Sequence, residues 1–561
     1  MRVPNRLLIS AICLPTFAVS SMDEPSDFEE SLSAADGVEI RQQAMSTSIE
    51  VPRKGDIRAV AEKVGNYWMT NNPCNAGAGN CPMSNSWDKG VLMMGIVDHW
   101  RKHRTATAYK TYALNWANEH NWQLYDTDPC NDWKANWHNR MIAGYTYLRL
   151  KEGGITGANL LTDTIANLDT QVLLPLSATD GTGLVDYAFG CGTAGTFSWK
   201  AIDAEFMALP TWIAYGKKTG HPAYYARAYA LQNHQATTLG LQDPTTKLWY
   251  RDATFVPPNG KYSPNGFPIV WGRGTGWIAG ALANAVAWLP TSRTTEYNTY
   301  KTRFVDLMNA LSTRQRADGF WGTNIADPNH FNWTETSGTA LITYAMAKGI
   351  SLGILNSTTY TPIVAKAWNA MVATSVRNDG WLGYCQGPGY SPAGPSLRTA
   401  DYCVGAFLLA GTAMYDLSTV AGTSPFTIYQ AEDLAVTVSG GTIADVANRY
   451  SQDGAHRATF TAVNGYVEYT LLNVPAGAHS VRVRYKLDTN NGIWQMKIGN
   501  TNFGTTTDGY DNFGHYGESA SPWTNSTTGT KVIRFTVTGK NAKNISANYN
   551  IEIDSIKFMS N

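Results

Sequence analysis

The stretch WGRGTGWIAGALANAVAWL, Trp271 to Leu289, decides the fold. A block of glycines, one arginine and two indoles runs into an apolar segment whose residues recur at helical spacing from Gly276 onward. About sixty residues later ETSGTALITYAMAKGISLGIL, Glu335 to Leu355, repeats the plan, its helical part opening at Ser337. Each block packs glycines, one charge and hydroxyls or indoles into a few positions, which suits a sugar pocket better than a plain core. The same three-and-four spacing extends outward in both directions. It marks Asp56 to Thr70, Gly90 to Arg104, Ala106 to His120, Asn136 to Lys151, Ala201 to Lys218, Pro222 to Leu239, Glu296 to Ser312, Pro362 to Thr374 and Ala400 to Leu417. With the poorly marked stretch Asn159 to Val172 the count is about twelve. Twelve helices in alternating short and long connections fit an all-α (α/α)6 barrel, six inner and six outer. Counting alone does not separate that barrel from another helical array.

At about Ser418 the texture changes. STVAGTSP is a short polar linker, and after it come alternating segments such as YVEYTLL, HSVRVRYKL, KVIRFTVTG and IEIDSIKF, separated by turn residues. This predicts an all-β sandwich of jelly-roll type. The expected organisation is a helical domain over 51–418, a linker over 419–426 and a sandwich over 427–561. Two domains also suit 561 residues, which exceed what one core usually serves.

Lys plus Arg and Asp plus Glu number 44 each, with no long run of either sign, so neither nucleic acid nor an anionic membrane surface is an expected partner. Nineteen Trp and 29 Tyr supply the faces on which pyranose rings stack, although most such rings serve as core. Arg2 and Arg6 precede the apolar run Leu7 to Val19, and Ala18-Val19-Ser20 offers small residues for cleavage. Residues 1–20 thus read as a secretion signal, too short to span a bilayer, and 21–50 as a disordered or propeptide-like segment. The expected location is extracellular. Cys13 leaves with the signal, and Cys74, Cys81, Cys130, Cys191, Cys385 and Cys403 make an even set for up to three disulfides. Cys74 and Cys81, in NPCNAGAGNCP, are the expected local pair. Sequons stand at Asn332, Asn356, Asn525 and Asn544.

Three blocks in order, Trp199-Lys-Ala-Ile-Asp203-Ala-Glu-Phe-Met207, WGRGTGW and ETSGTA, resemble the unsaturated glycuronyl hydrolases of glycoside hydrolase families 88 and 105, closer to 105. GAFLLAGTAMYDL at Gly405 to Leu417, preceded by Asp401, looks like the family's last inner helix. The resemblance implies a secreted, pectin-type enzyme of oligo- or polysaccharide metabolism that needs no cofactor for catalysis. Its substrate carries a terminal uronate with a C4–C5 double bond. A carboxylic acid protonates C4, water adds at C5, and the hemiketal opens to release the aglycone. One carboxyl serves as acid and base.

DAEFM places the catalytic residue at Asp203, which taken alone reads equally as a helix cap. Arg273 has the fork to grip a carboxylate, and Trp271 and Trp277 are candidates to wall the ring. Glu335, Thr336 and Ser337 stand either in the pocket or as the cap of the following helix. Two positions depart from the family. HNRMIAGYTYL puts Asn139 or Arg140 where a second aspartate is common, so that role is lost or taken by Asp132; His138 beside them is a candidate sugar contact. Tyr250-Arg251-Asp252 stands where a histidine is usual. A conventional glycosidase on the same barrel, or a non-catalytic sugar-binding protein, are the competing readings.

The sandwich opens on Tyr429-Gln-Ala-Glu432 and closes on Ile553-Asp554-Ser-Ile-Lys-Phe558, which resemble carbohydrate-binding modules of families 6 and 35. That resemblance implies a structural calcium held by Gln430, Glu432 and Asp554. Tyr450, Trp494, Tyr510 and Trp523 are its candidate sugar platform.

Overall fold

The computed structural model describes residues 50–560 apart from 76, 82–84, 86, 125–137, 174–200, 332, 378, 390, 422–425, 447–450, 452–453 and 512–513. The signal and propeptide readings, Trp199, Asp132, Cys13, Cys130, Cys191, Asn332 and Tyr450 lie outside the described residues. Among those described are twelve α-helices: α1 (Lys54–Asn71), α2 (Trp87–Lys102), α3 (Thr107–Glu119), α4 (His138–Glu152), α5 (Thr162–Val172), α6 (Asp203–Thr219), α7 (Pro222–Asn233), α8 (Gly272–Trp288), α9 (Thr294–Ser312), α10 (Thr336–Ser351), α11 (Ser357–Thr374) and α12 (Asp401–Leu417).

Contacts close the even-numbered helices into a ring. α2 packs on α4, α4 on α6, α6 on α8, α8 on α10, α10 on α12, and α12 returns to α2. The odd-numbered helices lie outside them, so the arrangement is an (α/α)6 barrel. Burial follows position. Every residue of α8 from Gly272 to Val286 is buried, whereas α9 buries only a stripe that includes Tyr300, Phe304, Leu307 and Leu311. Glycine permits the closure: a Cβ on Gly95 of α2 would stand 2.4 Å from the Gly405 carbonyl of α12, so these backbones touch directly.

Three helices begin clearly earlier than periodicity suggests, the inner α2 and α8 and the outer α11. α8 starts at Gly272 rather than Gly276, because its glycines form a first turn pressed against the 322–324 loop. The Gly272 N–H donates to Thr323 O at 2.8 Å, and a Cβ there would lie 2.4 Å from Gly322 O. α2 starts at Trp87, three residues before the expected Gly90. α11 starts at Ser357, where Asn356 caps it by accepting from Thr359 N at 3.0 Å. No helix among the described residues is long and apolar enough to cross a membrane.

After α12 come eleven strands: β1 (Phe426–Gln430), β2 (Ala435–Ser439), β3 (Gly441–Val446), β4 (Ala455–Phe460), β5 (Tyr466–Val474), β6 (Gly477–Leu487), β7 (Ile493–Ile498), β8 (Thr501–Asp508), β9 (His515–Asn525), β10 (Gly529–Gly539) and β11 (Tyr549–Ser560). They form two antiparallel sheets, β3-β4-β11-β6-β9 with β1 also on β11, and β2-β5-β10-β7-β8. From β4 to β7 each successive strand changes sheet, the jelly-roll pattern. Between the sheets lie Val467, Tyr469, Val483, Phe535, Ile553 and Phe558.

Trp494 belongs to that core. It is 2% exposed and packs edge-on to Tyr485 at 5.3 Å and Phe535 at 5.1 Å, which corrects its expected place on a sugar platform. Tyr510, in the loop before β9, and Trp523, near the end of that strand, are both half-buried.

A buried arginine ties the sandwich to the barrel. Arg484 of β6 donates to Asp554 at 2.7 Å and to the carbonyl of Ala373 in α11 at 2.7 Å. Asp554 is fully buried. Lys557, with Lys63 of α1 among its charged neighbours, has its amine pushed down by burial. Of the expected calcium set, Asp554 thus pairs with Arg484, while Gln430 ends β1 and Glu432 lies in the short turn that follows it. No group of three or more His, Cys, Asp or Glu suited to a metal occurs among the described residues.

Cys74 and Cys81 form the expected local disulfide, and Cys385 pairs with Cys403. Of the sequons, Asn525 and Asn544 are buried with their amides donating to backbone carbonyls, while Asn356 is exposed.

Candidate active site

The first turns of the inner helices meet at one mouth of the barrel. Lys89 of α2 pairs with Asp401 of α12. Trp87 lies 4.9 Å from the Tyr402 ring and 6.4 Å from Trp277, and Arg273 of α8 reaches Tyr402.

Asp203 opens α6 with 16% of its side chain exposed. Among the described residues its Oδ2 is buried without a hydrogen-bond partner, and the Arg251 Nε stands 3.7 Å away. Burial pushes the Asp203 carboxyl above the ordinary carboxylate range, and the Arg251 and Arg273 charges pull back against it. Arg251 is held by its loop. Its carbonyl accepts from Ile202 N at 3.0 Å, and its guanidinium donates to Asp252, which also accepts from Thr254 N at 2.8 Å. A fixed cation thus occupies the segment in which the sequence departs from the family's histidine.

Arg273 is 1% exposed. Its Nη1 donates to Gln386 O at 2.7 Å and its Nη2 to Gly387 O at 3.1 Å. The guanidinium lies between two rings, 4.6 Å from Trp271 and 4.8 Å from Tyr402. Trp271 donates its indole N–H to Gln386 Oε1 at 3.0 Å, while Trp277 packs against Phe206 at 5.0 Å. Both indoles are 1% exposed, which corrects their expected place as open walls. Trp87, half-buried above them, is the indole at the mouth that keeps accessible surface. Periodicity missed it because the α2 start was read three residues late.

Of the two readings for Glu335 to Ser337, the cap is realised. Glu335 accepts from Ser337 N at 2.9 Å, Gly338 N at 2.7 Å and the Ser337 hydroxyl. Thr336 is fully buried and donates to Gly383 O. Asn139 is buried in the first turn of α4, and His138 begins that helix.

The arrangement offers a carboxyl raised by burial, with the charges of Arg251 and Arg273 acting on it, suited to donating a proton near a bound anion. The model of Glycosyl Hydrolase Family 88 matches residues 60–418, all three motif blocks included. The chain belongs to glycosyl hydrolase family 88. It is a glycoside hydrolase by that membership, and its substrates are carbohydrates.

This family 88 chain is 29% identical over 344 residues to an unsaturated 3S-rhamnoglycuronyl hydrolase of Formosa agariphila, covering 59% of this chain and 84% of that protein. It is 32% identical over 223 residues to a protein of the same description from an Alteromonas species, covering 38% of this chain but only 51% of that one. Among solved structures it resembles one described as a polysaccharide lyase, with TM-score 0.55, 25% identity and coverage of 64% of this chain and 96% of that chain. It also resembles a family 88 glycosyl hydrolase from Bacteroides vulgatus, with TM-score 0.54, 24% identity and coverage of 65% and 99%. The latter likeness bears on fold alone, and both cover the barrel's share of the chain.

Proposed function

We propose that this hydrolase removes a 4,5-unsaturated uronic acid from the non-reducing end of lyase-generated oligosaccharides, with Asp203 as the acid that protonates C4. The observation that carries this reading is the Asp203 carboxyl itself, with a buried oxygen free of hydrogen bonds and a pKa raised by burial. In the proposed sequence the proton passes from Asp203 to C4, the resulting carboxylate takes a proton from the water adding at C5, and the hemiketal opens. The site keeps no net proton. Arg251 and Arg273 favour an anionic sugar beside Asp203, and Trp87 is the ring we assign to stacking at the mouth.

A conventional pair of carboxylates is disfavoured by the neighbours of Asp203. Among the described residues, Glu335 is consumed by the α10 cap, Asp252 by Arg251 and Thr254, and Asp401 by Lys89. The relatives' described activity supports a rhamnose-linked uronyl substrate, alongside the pectin-type fragments of rhamnogalacturonan. Two disulfides support an oxidising, extracellular location. For the sandwich module we propose polysaccharide binding.

The test follows the ultraviolet absorbance of the conjugated double bond while the purified enzyme acts on lyase-generated ulvan, rhamnogalacturonan and glycosaminoglycan fragments. Loss of that absorbance on a rhamnose-linked fragment is the expected result. Release of sugar with the absorbance intact would establish direct glycosidic cleavage and overturn hydration.

A further inference from the structure

Three layers make up the cationic wall of the site: the Trp271 ring, the Arg273 guanidinium and the Tyr402 ring. All three are tied to a residue that has no chemistry of its own. Gln386, 3% exposed, lies in the segment between α11 and α12. Its carbonyl accepts from Arg273 Nη1 at 2.7 Å and from the Tyr402 hydroxyl. Its Oε1 accepts from Trp271 Nε1 at 3.0 Å, and its Nε2 donates to Ser391 O at 2.8 Å. Its backbone N–H donates to Glu335 Oε1 at 3.3 Å. One residue therefore touches the first turns of α8 and α12 and the cap of α10. Next to it, Gly387 O takes the second Arg273 nitrogen. On the other side Cys385 is bonded to Cys403, which fixes this segment to the first turn of α12.

A buried amide whose backbone N–H, carbonyl and side-chain oxygen each bond to a residue of the site, with its side-chain nitrogen tied to its own loop, is over-determined in position. Its side chain contributes one acceptor to a buried indole and one donor to its own loop. An apolar side chain of similar length would fill the same space and leave the indole N–H buried without a partner. Trp271 is the layer beneath Arg273, so its orientation sets where the guanidinium lies.

We propose that Gln386 is a positioning residue for the reaction: through the Trp271–Arg273–Tyr402 stack it holds the Arg273 charge toward Asp203. This rests on the reading of Asp203 as the acid. If Arg273 is displaced, Asp203 loses part of the positive potential that opposes its burial. Its carboxyl then stays protonated to higher pH, while the substrate carboxylate loses a favourable cation.

The experiment compares wild type with Gln386→Met in two measurements: the pH dependence of kcat/KM, and carbon-13 NMR titration of the Asp203 carboxyl in the full chain. Tyr402→Phe, which removes the hydroxyl donated to Gln386 O but keeps the ring, is the second variant should Gln386→Met not fold. The expected result is a fall of about tenfold in kcat/KM, carried mainly by KM, as for about one lost hydrogen bond. The basic limb of the profile and the Asp203 titration should move upward together. A purely structural role would reduce the folded fraction and leave both midpoints in place, and that result in a folded variant overturns the proposal. A wild-type limb that does not coincide with the Asp203 titration would instead overturn the assignment of Asp203 as the acid.

Discussion

Replacing Asp203 with asparagine should drive activity and stability in opposite directions. The amide keeps the size of the carboxyl and can accept a hydrogen bond, but it cannot deliver an acidic proton to carbon. General acid catalysis contributes about 10²–10⁴ in rate. Because the other mouth carboxylates named above are committed to caps and ion pairs, none is free to substitute, and the expected loss in kcat is at least about 10³, or about 4 kcal/mol in barrier. Stability follows from linkage. Burial raises the Asp203 pKa above its value in the unfolded chain, so the native state binds the proton more tightly than the unfolded state. Stability therefore falls as pH rises from the ordinary carboxylate range through the native pKa, and the deficit persists above it. Asparagine carries no such deficit. The variant should melt higher than wild type at neutral pH, with the advantage vanishing near pH 3, where both states of Asp203 are protonated. Calorimetry across pH, paired with the absorbance assay, reads both effects. Near-wild-type turnover would remove Asp203 from the mechanism, and a lower melting temperature at neutral pH would show that Arg251 and Arg273 outweigh burial.

Three further outcomes test the framework around the site. Arg484→Met strands the buried Asp554 carboxylate at the interface with the barrel; we expect a loss of about 3–5 kcal/mol in the unfolding of the sandwich, read by denaturant titration, and an unchanged transition would deny the ion pair that role. Cys385→Ser with Cys403→Ser opens a crosslink spanning a sequence separation of 18, which should cost about 3 kcal/mol on the chain-entropy account and lower the calorimetric midpoint under non-reducing conditions. Trp494→Ala should cost about 3–5 kcal/mol as a core truncation. Polysaccharide binding by the folded variant, followed in affinity electrophoresis, should be unchanged; lost binding with unaltered stability would return Trp494 to a sugar platform.

The helices were legible because burial imposes a period on the chain: each inner helix needs apolar residues on every side, and each outer helix a stripe. Their starts were less legible. The glycines of WGRGTGW look like loop residues, yet Gly272 to Gly276 form a helical turn in which the Gly322 carbonyl and the side chains of Trp271, Ile202 and Leu341 leave no room for a Cβ. The jelly roll could be read from alternation, but alternation does not say which aromatic faces inward. Trp494 sits on the core side of β7 and Trp523 on an edge strand, and both present the same letter. Asp203 and Arg273 stood out through motif spacing, and Arg251 through its place in a segment that departs from the family. Gln386 left no signal. Much of what it does is done by its backbone N–H and carbonyl, which every residue other than proline carries, and its importance arises only when the fold brings three helix starts to one point.

That convergence also bears on the choice between hydration and direct cleavage. A two-carboxylate glycosidase needs a second carboxyl free to act as nucleophile or base, set opposite the acid. Here Arg251 and Arg273 act on Asp203 while Asp252, Asp401 and Glu335 are held in ion pairs and a cap, and our reading of the sequence puts Asn139 or Arg140 where a second aspartate is common in the family. An amide at that point can orient a hydroxyl or a water but cannot take up a proton. Addition across a double bond tolerates this loss, because the carboxylate formed when Asp203 gives its proton to C4 is itself the base for the incoming water. The departure at Asn139 thus weakens the conventional reading more than the hydration reading, and Asn139→Asp discriminates between them. If hydration by Asp203 alone is the chemistry, a second carboxyl should leave turnover within about tenfold of wild type, the scale of one hydrogen-bond contribution. A gain of several orders of magnitude would mean that the reaction had lacked its second carboxylate.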